Sequence, residues 1–334
     1  MATIKDISRV TGLSVGTISK YLNNKPVLPE NSAMIQQAIE SLHYQVNTFA
    51  RGLKTSRTQT VGFLMHHWES PFFLHIISIV EERLHEHGYS VMVCAYNGDE
   101  QQEKEKLQLL STRCDALVVH PLFLTAAYLQ EHLTRALPVI SIDRPLPGYN
   151  CDNILINTSS AGYSAVESLV QRGHRHIALL TGTRGLYTSM ARVRAYERVF
   201  EDYGLPINRE LILFGDYRAQ TGFDIVSRLL RSDDRPTAIY ATTNEMTLGA
   251  LASISKFGLS IPEDMSFIGG DIIGDSAVFA RNLSQVLQPA DAFGETLAAQ
   301  LIKRLFEKEP SAPETIHLQA EYLLRDSVRT LGSD

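Results

Sequence analysis

The chain has 334 residues, 44% hydrophobic and 20% charged, a globular composition with enough apolar material for two or three domains. No apolar run reaches the roughly 18 residues of a membrane span and residues 1–20 hold no signal-peptide stretch, so a soluble cytoplasmic protein is expected. Its charge of −6 is uneven: residues 1–60 hold seven Lys or Arg against three acidic residues, a net +4 that leaves −10 elsewhere. A basic end on an acidic body points to a polyanion partner for that end.

The N-terminal stretch reads as helices without strands. Thr3, with Asp6 three residues on, forms a capping-box pattern before Ile7 and Val10, and Gly12 ends that first helix. Ser14 suits the cap of a second helix whose inward face is Thr17, Ile18, Tyr21 and Leu22. Residues 12–16, "GLSVG", match the G-x-S-x-G nucleophile elbow of hydrolases, but that elbow needs a strand running into its first glycine, and here a helix does. A third helix follows "NNKPVLP", with Pro29 in its first turn and Ile35, Ala38, Ile39 and Leu42 as its apolar stripe. Residues 45–59, "QVNTFARGLKTSRTQ", are polar and basic, with one short potential helix from about Asn47 to Thr55 that is marginal alone and weakened by Gly52.

From Thr60 onward, short apolar strands alternate with amphipathic helices. Strands are expected at "TVGFLM", "SVMVCAY", "ALVVHP", "PVISID", "NILINT", "HIALLTG", "LILFGD", "AIYATT" and "MSFIGGD". Near-continuous apolar strands between helices imply parallel sheets covered on both faces, and this many units over residues 60–334 implies two sheets. A ligand would then lie between the sheets, beyond the carboxyl ends of their strands. The odd number of cysteines, Cys94, Cys114 and Cys151, without C-x-x-C spacing, reads as buried free thiols.

Several stretches together resemble one family. "TIKDISRVTGLSVGTISKYLNNKP", "ARGLKTSRTQTVGFLM", "SPFF", "IDRP", "GHRHIALLTG", "ARVR", "GDY", "MTLGAL" and "LQP" occur in the order found in the lactose-repressor and galactose-repressor (LacI/GalR) family of bacterial transcription regulators. The resemblance spans nearly the whole chain. It implies an α/β architecture with an all-α helix-turn-helix headpiece at 1–46 and a hinge helix and linker at 47–59. A periplasmic-binding-protein-like pair of doubly wound parallel-sheet subdomains would fill 60–334. One subdomain would take about 60–160 plus 290–320, the other about 161–289 plus 321–334.

In a helix-turn-helix the second helix enters the major groove and reads bases near its N-terminus. The resemblance puts Val15, Gly16 and Lys20 against bases and Ser14, Thr17, Ser19 and Asn23 against phosphates, with Thr3 also among the DNA-binding residues. Gly16 has no side chain with which to read a base, and Lys20 stands where the family often has Arg. Leu53 matches the leucine that two subunits insert into the minor groove, flanked by Ala50, Arg51 and Lys54, although by itself it is an ordinary exposed leucine. The partners implied are a pseudo-palindromic operator, a small-molecule effector and a second copy of the chain; no cofactor or metal is implied.

For the effector, a sugar pocket needs an aromatic face and planar polar groups. By resemblance, Asp143, Arg194, Tyr217, Asp271 and Gln288 match family ligand positions, and Phe72, near Trp68, offers an aromatic wall. Taken singly, Asp143 and Asp271 suit helix caps, Arg194 a surface charge and Phe72 the core. Thr243 and Asn244 stand where the family usually shows Asn then Asp, and Gly270 and Ile272 replace an aromatic and a second Asp. These departures leave a sugar, a phosphorylated sugar and a purine open.

An enzyme reading finds no Walker sequence, and "LLTGTRG" is not G-x-G-x-x-G. His66, His67, His174 and His176 lack metal-ligand spacing and read as surface or loop histidines. A secreted sugar-binding receptor would share the two-lobed body but leaves the basic helices unexplained. The helix "FFLHIISIVEERL" offers Phe72, Ile76, Ile79 and Val80 as core or interface, and the C-terminus lacks heptads, so a dimer is expected.

Overall fold

The computed structural model describes residues 2–22, 25–44, 57–67, 70–133, 136–272, 281–309 and 311–332. They belong to two compact units, residues 1–58 and 59–334. Asn23, Ala50, Arg51, Leu53, Lys54 and Trp68 lie outside the described residues.

The first unit holds three helices, α1 (Ile4–Thr11), α2 (Val15–Leu22) and α3 (Pro29–Ser41). Asp6 secures the start of α1: its carboxylate accepts from the Thr3 backbone N–H at 2.9 Å and from the Thr3 hydroxyl at 2.7 Å. Gly12 stops α1 with φ of 69°, in the left-handed region where a side chain would be strained. The turn delivers Ser14, whose Oγ accepts from the Thr17 N–H at 3.1 Å and so satisfies an end group of α2. Ile7, Ile18, Ile35 and Ala38 form the small core, with Tyr21, Leu22, Ile39 and Leu42 packed against it. Val10, on the same helix as Ile7, is 59% exposed.

The second unit contains two six-stranded sheets. The first has the order β11-β5-β4-β3-β1-β2, built from β1 (Thr60–Met65), β2 (Ser90–Ala95), β3 (Ala116–Val119), β4 (Val139–Ile142), β5 (Asp152–Asn157) and β11 (Thr315–Gln319). All its pairings are parallel. The second has the order β12-β10-β9-β8-β6-β7, from β6 (Ile177–Thr181), β7 (Ile212–Phe214), β8 (Ala238–Ala241), β9 (Ser266–Gly270), β10 (Ser284–Leu287) and β12 (Glu321–Leu323). Only the β10–β12 pairing is antiparallel. All nine expected strands are present, whereas β10, β11 and β12 were not expected. The chain passes between the sheets after β5, after β10 and between β11 and β12.

Helices cover these sheets as parallel strands require. Those in the first lobe are α4 (Pro71–His85), α5 (Glu100–Arg113), α6 (Ala126–His132) and α11 (Ala290–Phe306). In α4, Phe72, Ile76 and Val80 are buried and Ile79 meets Gly294 of α11, so the stripe read from sequence is core. The Arg304 guanidinium on α11 binds both carboxylate oxygens of buried Asp152 at 2.6 Å, tying α11 to β5. The second lobe carries α7 (Ser159–Gln171), α8 (Tyr187–Asp202), α9 (Ala219–Arg231) and α10 (Asn244–Lys256). His174, expected at the surface or in a loop, lies in the loop before β6 and is fully buried: its Nδ1 pairs with the Thr237 hydroxyl at 2.8 Å and its Nε2 with the Arg329 carbonyl at 3.2 Å. Cys114 and Cys151 are buried free thiols and Cys94 is a half-buried one. Among the described residues no helix is long and apolar enough to cross a membrane.

The pair α9 and α10 packs backbone against backbone. A Cβ on Gly249 would sit 1.9 Å from the Ala219 carbonyl oxygen, and one on Gly222 would sit 2.6 Å from that of Met246. Gly249→Ala should therefore force the helices apart, costing about 2–3 kcal/mol and lowering Tm by at least about 4 °C. Thermal denaturation checks this, and an unchanged Tm would mean the contact yields freely.

Candidate functional site

Strands of both sheets end at one cleft of about 420 Å³. His66 and His67 follow β1, Tyr96 and Asn97 follow β2, His120 follows β3 and Asp143 follows β4. Facing them, Tyr217 comes from the loop after β7, Thr243 follows β8, Asp271 follows β9 and Gln288 follows β10. Phe72, at the start of α4, is 7% exposed and combines the two roles considered for it: it belongs to the core and also borders the cleft.

Arg194 is the exception. It lies on an exposed outer face of α8 beside Ser159, Ser160 and Tyr163, while Arg192, two residues earlier, lines the cleft and is 5% exposed. Two residues on a helix are separated by about 200° of rotation, so only one arginine of "ARVR" can face inward. The cleft-lining arginine of the pair is Arg192, whereas Arg194, expected in the cleft, faces outward. Among the described residues, no hydrogen bond or ion pair joins the Arg192 guanidinium to the protein. A buried cationic group held in this way offers its donors to whatever enters the cleft.

The backbone at the strand ends is strained. Among the described residues, six other than glycine have positive φ, and four of them, Asn97, Asp143, Tyr217 and Asp271, line the cleft. Such conformations cost energy and persist where surrounding structure imposes them for a function. Among the described residues, neither Asp143 nor Asp271 caps a helix. The Asp143 carboxylate lies 3.4 Å from His120 Nε2. Asp271 Oδ1 accepts from the Gln288 backbone N–H at 2.8 Å, and its other oxygen accepts from the Gln288 side-chain amide. The Tyr217 hydroxyl meets Ser189 Oγ at 3.0 Å, and burial raises its pKa, so it remains protonated. Thr243 uses its Oγ1 on the Met246 N–H at 3.4 Å as the cap of α10. A Cβ at Gly270 would lie 2.5 Å from the Thr242 carbonyl carbon, which explains glycine at that departure from the family pattern.

The histidines, read as surface or loop residues, are loop residues, and sequence reasoning did not assign any of them to the cleft. His66 and His67 line the cleft, with ring centroids 3.8 Å apart, and His66 stands 6.2 Å from the Tyr217 ring across it. Burial, and then the positive charge of His67, His120 and Arg218, pushes His66 down to about 3, so it is neutral at pH 7. Glu103 was also missed. It is fully buried on α5, and its carboxylate accepts from the backbone N–H groups of Leu122 and Phe123 at 2.7 and 2.8 Å. The Arg144 guanidinium donates to the Leu122 carbonyl from the other side, so opposite charges clamp the loop that presents His120, Pro121 and Leu122 to the cleft. No sequence spacing announces either group, because each acts through distant chain segments.

In the first unit, Thr3, Ser14, Val15, Gly16 and Lys20 are exposed while Thr17 and Ser19 are half-buried. Val15 is 40% exposed at the first position of α2, and no acidic residue occupies that first turn. The end of α2 thus presents an apolar side chain, hydroxyls and unopposed positive helix-end potential, a surface suited to phosphates and thymine methyl groups.

Burial pushes the Asp271 carboxyl up to about 6, with Arg192 and Gln288 offsetting part of that rise. A carboxyl with a folded pKa above its unfolded value holds more protons in the folded state between the two, so its contribution to stability falls as pH rises. Asp271→Asn should remove a loss of about 2–3 kcal/mol incurred between roughly pH 4 and pH 6. Denaturant unfolding of both proteins across that range checks it, and parallel pH profiles would contradict the burial argument.

Comparison with known proteins agrees with this geometry. Residues 58–325 match the family described as periplasmic binding proteins and sugar binding domain of LacI family. The chain is similar to the HTH-type transcriptional repressor PurR of Actinobacillus pleuropneumoniae serotype 3 (strain JL03), at 32% identity over 99% of this chain and 100% of that protein. PurR of Aliivibrio fischeri (strain MJ11) is 33% identical over 98% of each. Among solved structures, a LacI family transcriptional regulator from Enterococcus faecium with bound ribose is similar at TM-score 0.71 and 26% identity, over 82% of this chain and 100% of that one. The lac repressor dimer bound to operator and the anti-inducer ONPF shares the fold at TM-score 0.83 and 21% identity, over 98% of this chain and 99% of that one. The chain therefore belongs to the LacI family and is a ligand-controlled transcriptional repressor rather than an enzyme.

Proposed function

We propose that this repressor is a cytoplasmic homodimer that reads a pseudo-palindromic operator with α2 and is controlled by a sugar or sugar derivative in the cleft. The buried Arg192 guanidinium, free of protein hydrogen bonds among the described residues, carries the effector reading. Asp143, Asp271, Gln288 and Thr243 supply planar and hydroxyl groups for ring hydroxyls, and Phe72 and Tyr217 supply apolar faces. The ribose held by the Enterococcus faecium relative supports the same class.

On DNA, Val15 and Lys20 specify bases, and Thr3, Ser14, Thr17, Ser19 and Asn23 fix register through phosphates, with Gly16 allowing close approach. Ala50, Arg51, Leu53 and Lys54 complete the interface, Leu53 acting as a minor-groove wedge whose unstacking cost is offset by contacts to the bent duplex. An effector that shifts the anchors of two paired linkers changes operator affinity through this wedge.

Gel shifts on the promoter of the protein's own gene, with and without sugars, test the proposal. Lys20→Ala and Leu53→Ala should each weaken operator binding about tenfold or more. Arg192→Ala should bind operator as tightly as the parent and lose its response to the effector. Undiminished binding by Leu53→Ala would overturn the wedge, and a retained response by Arg192→Ala would overturn the effector site.

A further inference from the structure

Among the described residues, the two positive-φ residues other than glycine that do not line the cleft are His43 and Gln59, which stand at the two ends of residues 44–58. His43 follows α3 and has an ordinary cause: the Tyr44 N–H donates to the Ile39 carbonyl at 2.9 Å, the closing bond of a helix end. Gln59 immediately precedes β1, where extended backbone is expected, yet its φ is 52°. It is the first residue of the second unit and is bonded on both sides. Its N–H donates to Asp115 Oδ2 at 2.9 Å, and its carbonyl accepts from the Ser90 N–H at 2.9 Å.

Asp115 is buried and stands one residue before β3, a place where a carboxylate is costly unless it is hydrogen-bonded. Its own N–H donates to the Thr60 carbonyl at 2.8 Å, so β1, β2 and β3 are joined at one corner around Gln59. β1 and β3 pair in parallel, and this corner lies at the ends opposite those that deliver His66, His67 and His120 to the cleft. The bond to the Gln59 carbonyl is one that a strand ladder gives to any residue at this place. The bond to its N–H comes instead from a charged side chain. Because the peptide is planar, holding that N–H fixes the plane between Thr58 and Gln59, and with it the direction in which the preceding chain leaves the sheet.

We propose that Asp115 is a positioning residue for operator binding: its carboxylate holds Gln59 in the left-handed conformation and so sets the direction in which the chain departs from the second unit toward the linker. The inference rests on the reading of Ala50, Arg51, Leu53 and Lys54 as part of the operator interface. A segment whose departure is fixed in advance meets DNA at a lower entropic cost than one that must be ordered on binding. The same requirement explains a strained glutamine at this junction. Glycine would adopt this φ without strain, but it would also leave it freely.

Operator affinity of the full chain tests this, measured on a duplex that the parent selects from a random-sequence DNA pool and at a temperature where each variant is folded. Asp115→Ala removes the acceptor, and Gln59→Pro removes the N–H and forbids the positive φ. Each should weaken operator binding about tenfold or more, the loss expected when a fixed segment must instead be ordered on binding. The double variant should bind no more weakly than the weaker single one, because both changes remove the same bond. Asp115→Asn keeps an acceptor oxygen and should restore operator binding close to that of the parent. A residue needed only for folding would lower Tm and leave the affinity of the folded protein unchanged; that result for either single variant would overturn the inference. So would Asp115→Asn binding as weakly as Asp115→Ala, or a double variant whose losses multiply. Should Asp115→Ala not fold, Gln59→Pro and Asp115→Asn carry the test. Leu53→Ala, measured alongside, separates the two readings. Weakened binding by Leu53→Ala with undiminished binding by the junction variants overturns this inference alone, and undiminished binding by all of them overturns the linker reading with it.

Discussion

Parallel strands in two sheets all deliver their carboxyl ends to the same cleft, and three chain crossings hold those ends face to face. The remaining features of the effector site depend on that constraint. Because successive crossings alternate between lobes, β10 ends beside β9 in one lobe while the next helix, α11, packs on α4 in the other. The consequence is visible in Gln288, which immediately follows β10, grips Asp271 after β9, and stands two residues before the first residue of α11. A change in cleft contents is thereby placed next to a crossing rather than at the tip of an independent loop.

The site is held in conditions that folding alone would avoid. Four strained residues, a carboxyl pushed up to about 6 by burial and a buried arginine without a hydrogen bond to any described residue are all destabilising by themselves. Their concentration at one place, while the lobes around it are closely packed cores, is what a binding site built in advance of its ligand requires. Glu103, from behind the cleft, and Arg144, at its edge, contribute to that preparation, fixing by its N–H groups and a carbonyl the loop whose His120 and Leu122 line the cleft.

Much of this was legible in the sequence where one chain segment sufficed to encode it. Gly12, Ser14 and the helices on either side follow from local capping chemistry, so "GLSVG" is a turn and not a nucleophile elbow. Nine strands were visible as apolar runs because their sheets are covered on both faces. The missing three lack that signature: β11 alternates between exposed and half-buried residues, β12 has only three, and β10 has two polar residues among its four. The choice between Arg192 and Arg194 depends on the rotational phase of α8, which a motif match did not resolve. His66, His67 and Glu103 depend on which strand ends meet, a property of topology rather than spacing.

The central claim is that cleft and operator surface are two sites of one coupled equilibrium. Thermodynamic linkage requires the coupling to be reciprocal. The most direct measurement is the affinity of the preferred sugar or sugar derivative for the full chain with and without saturating operator DNA, set beside operator affinity with and without that compound. The account predicts that the two ratios are equal and differ from one. An effector affinity indifferent to bound operator would contradict it.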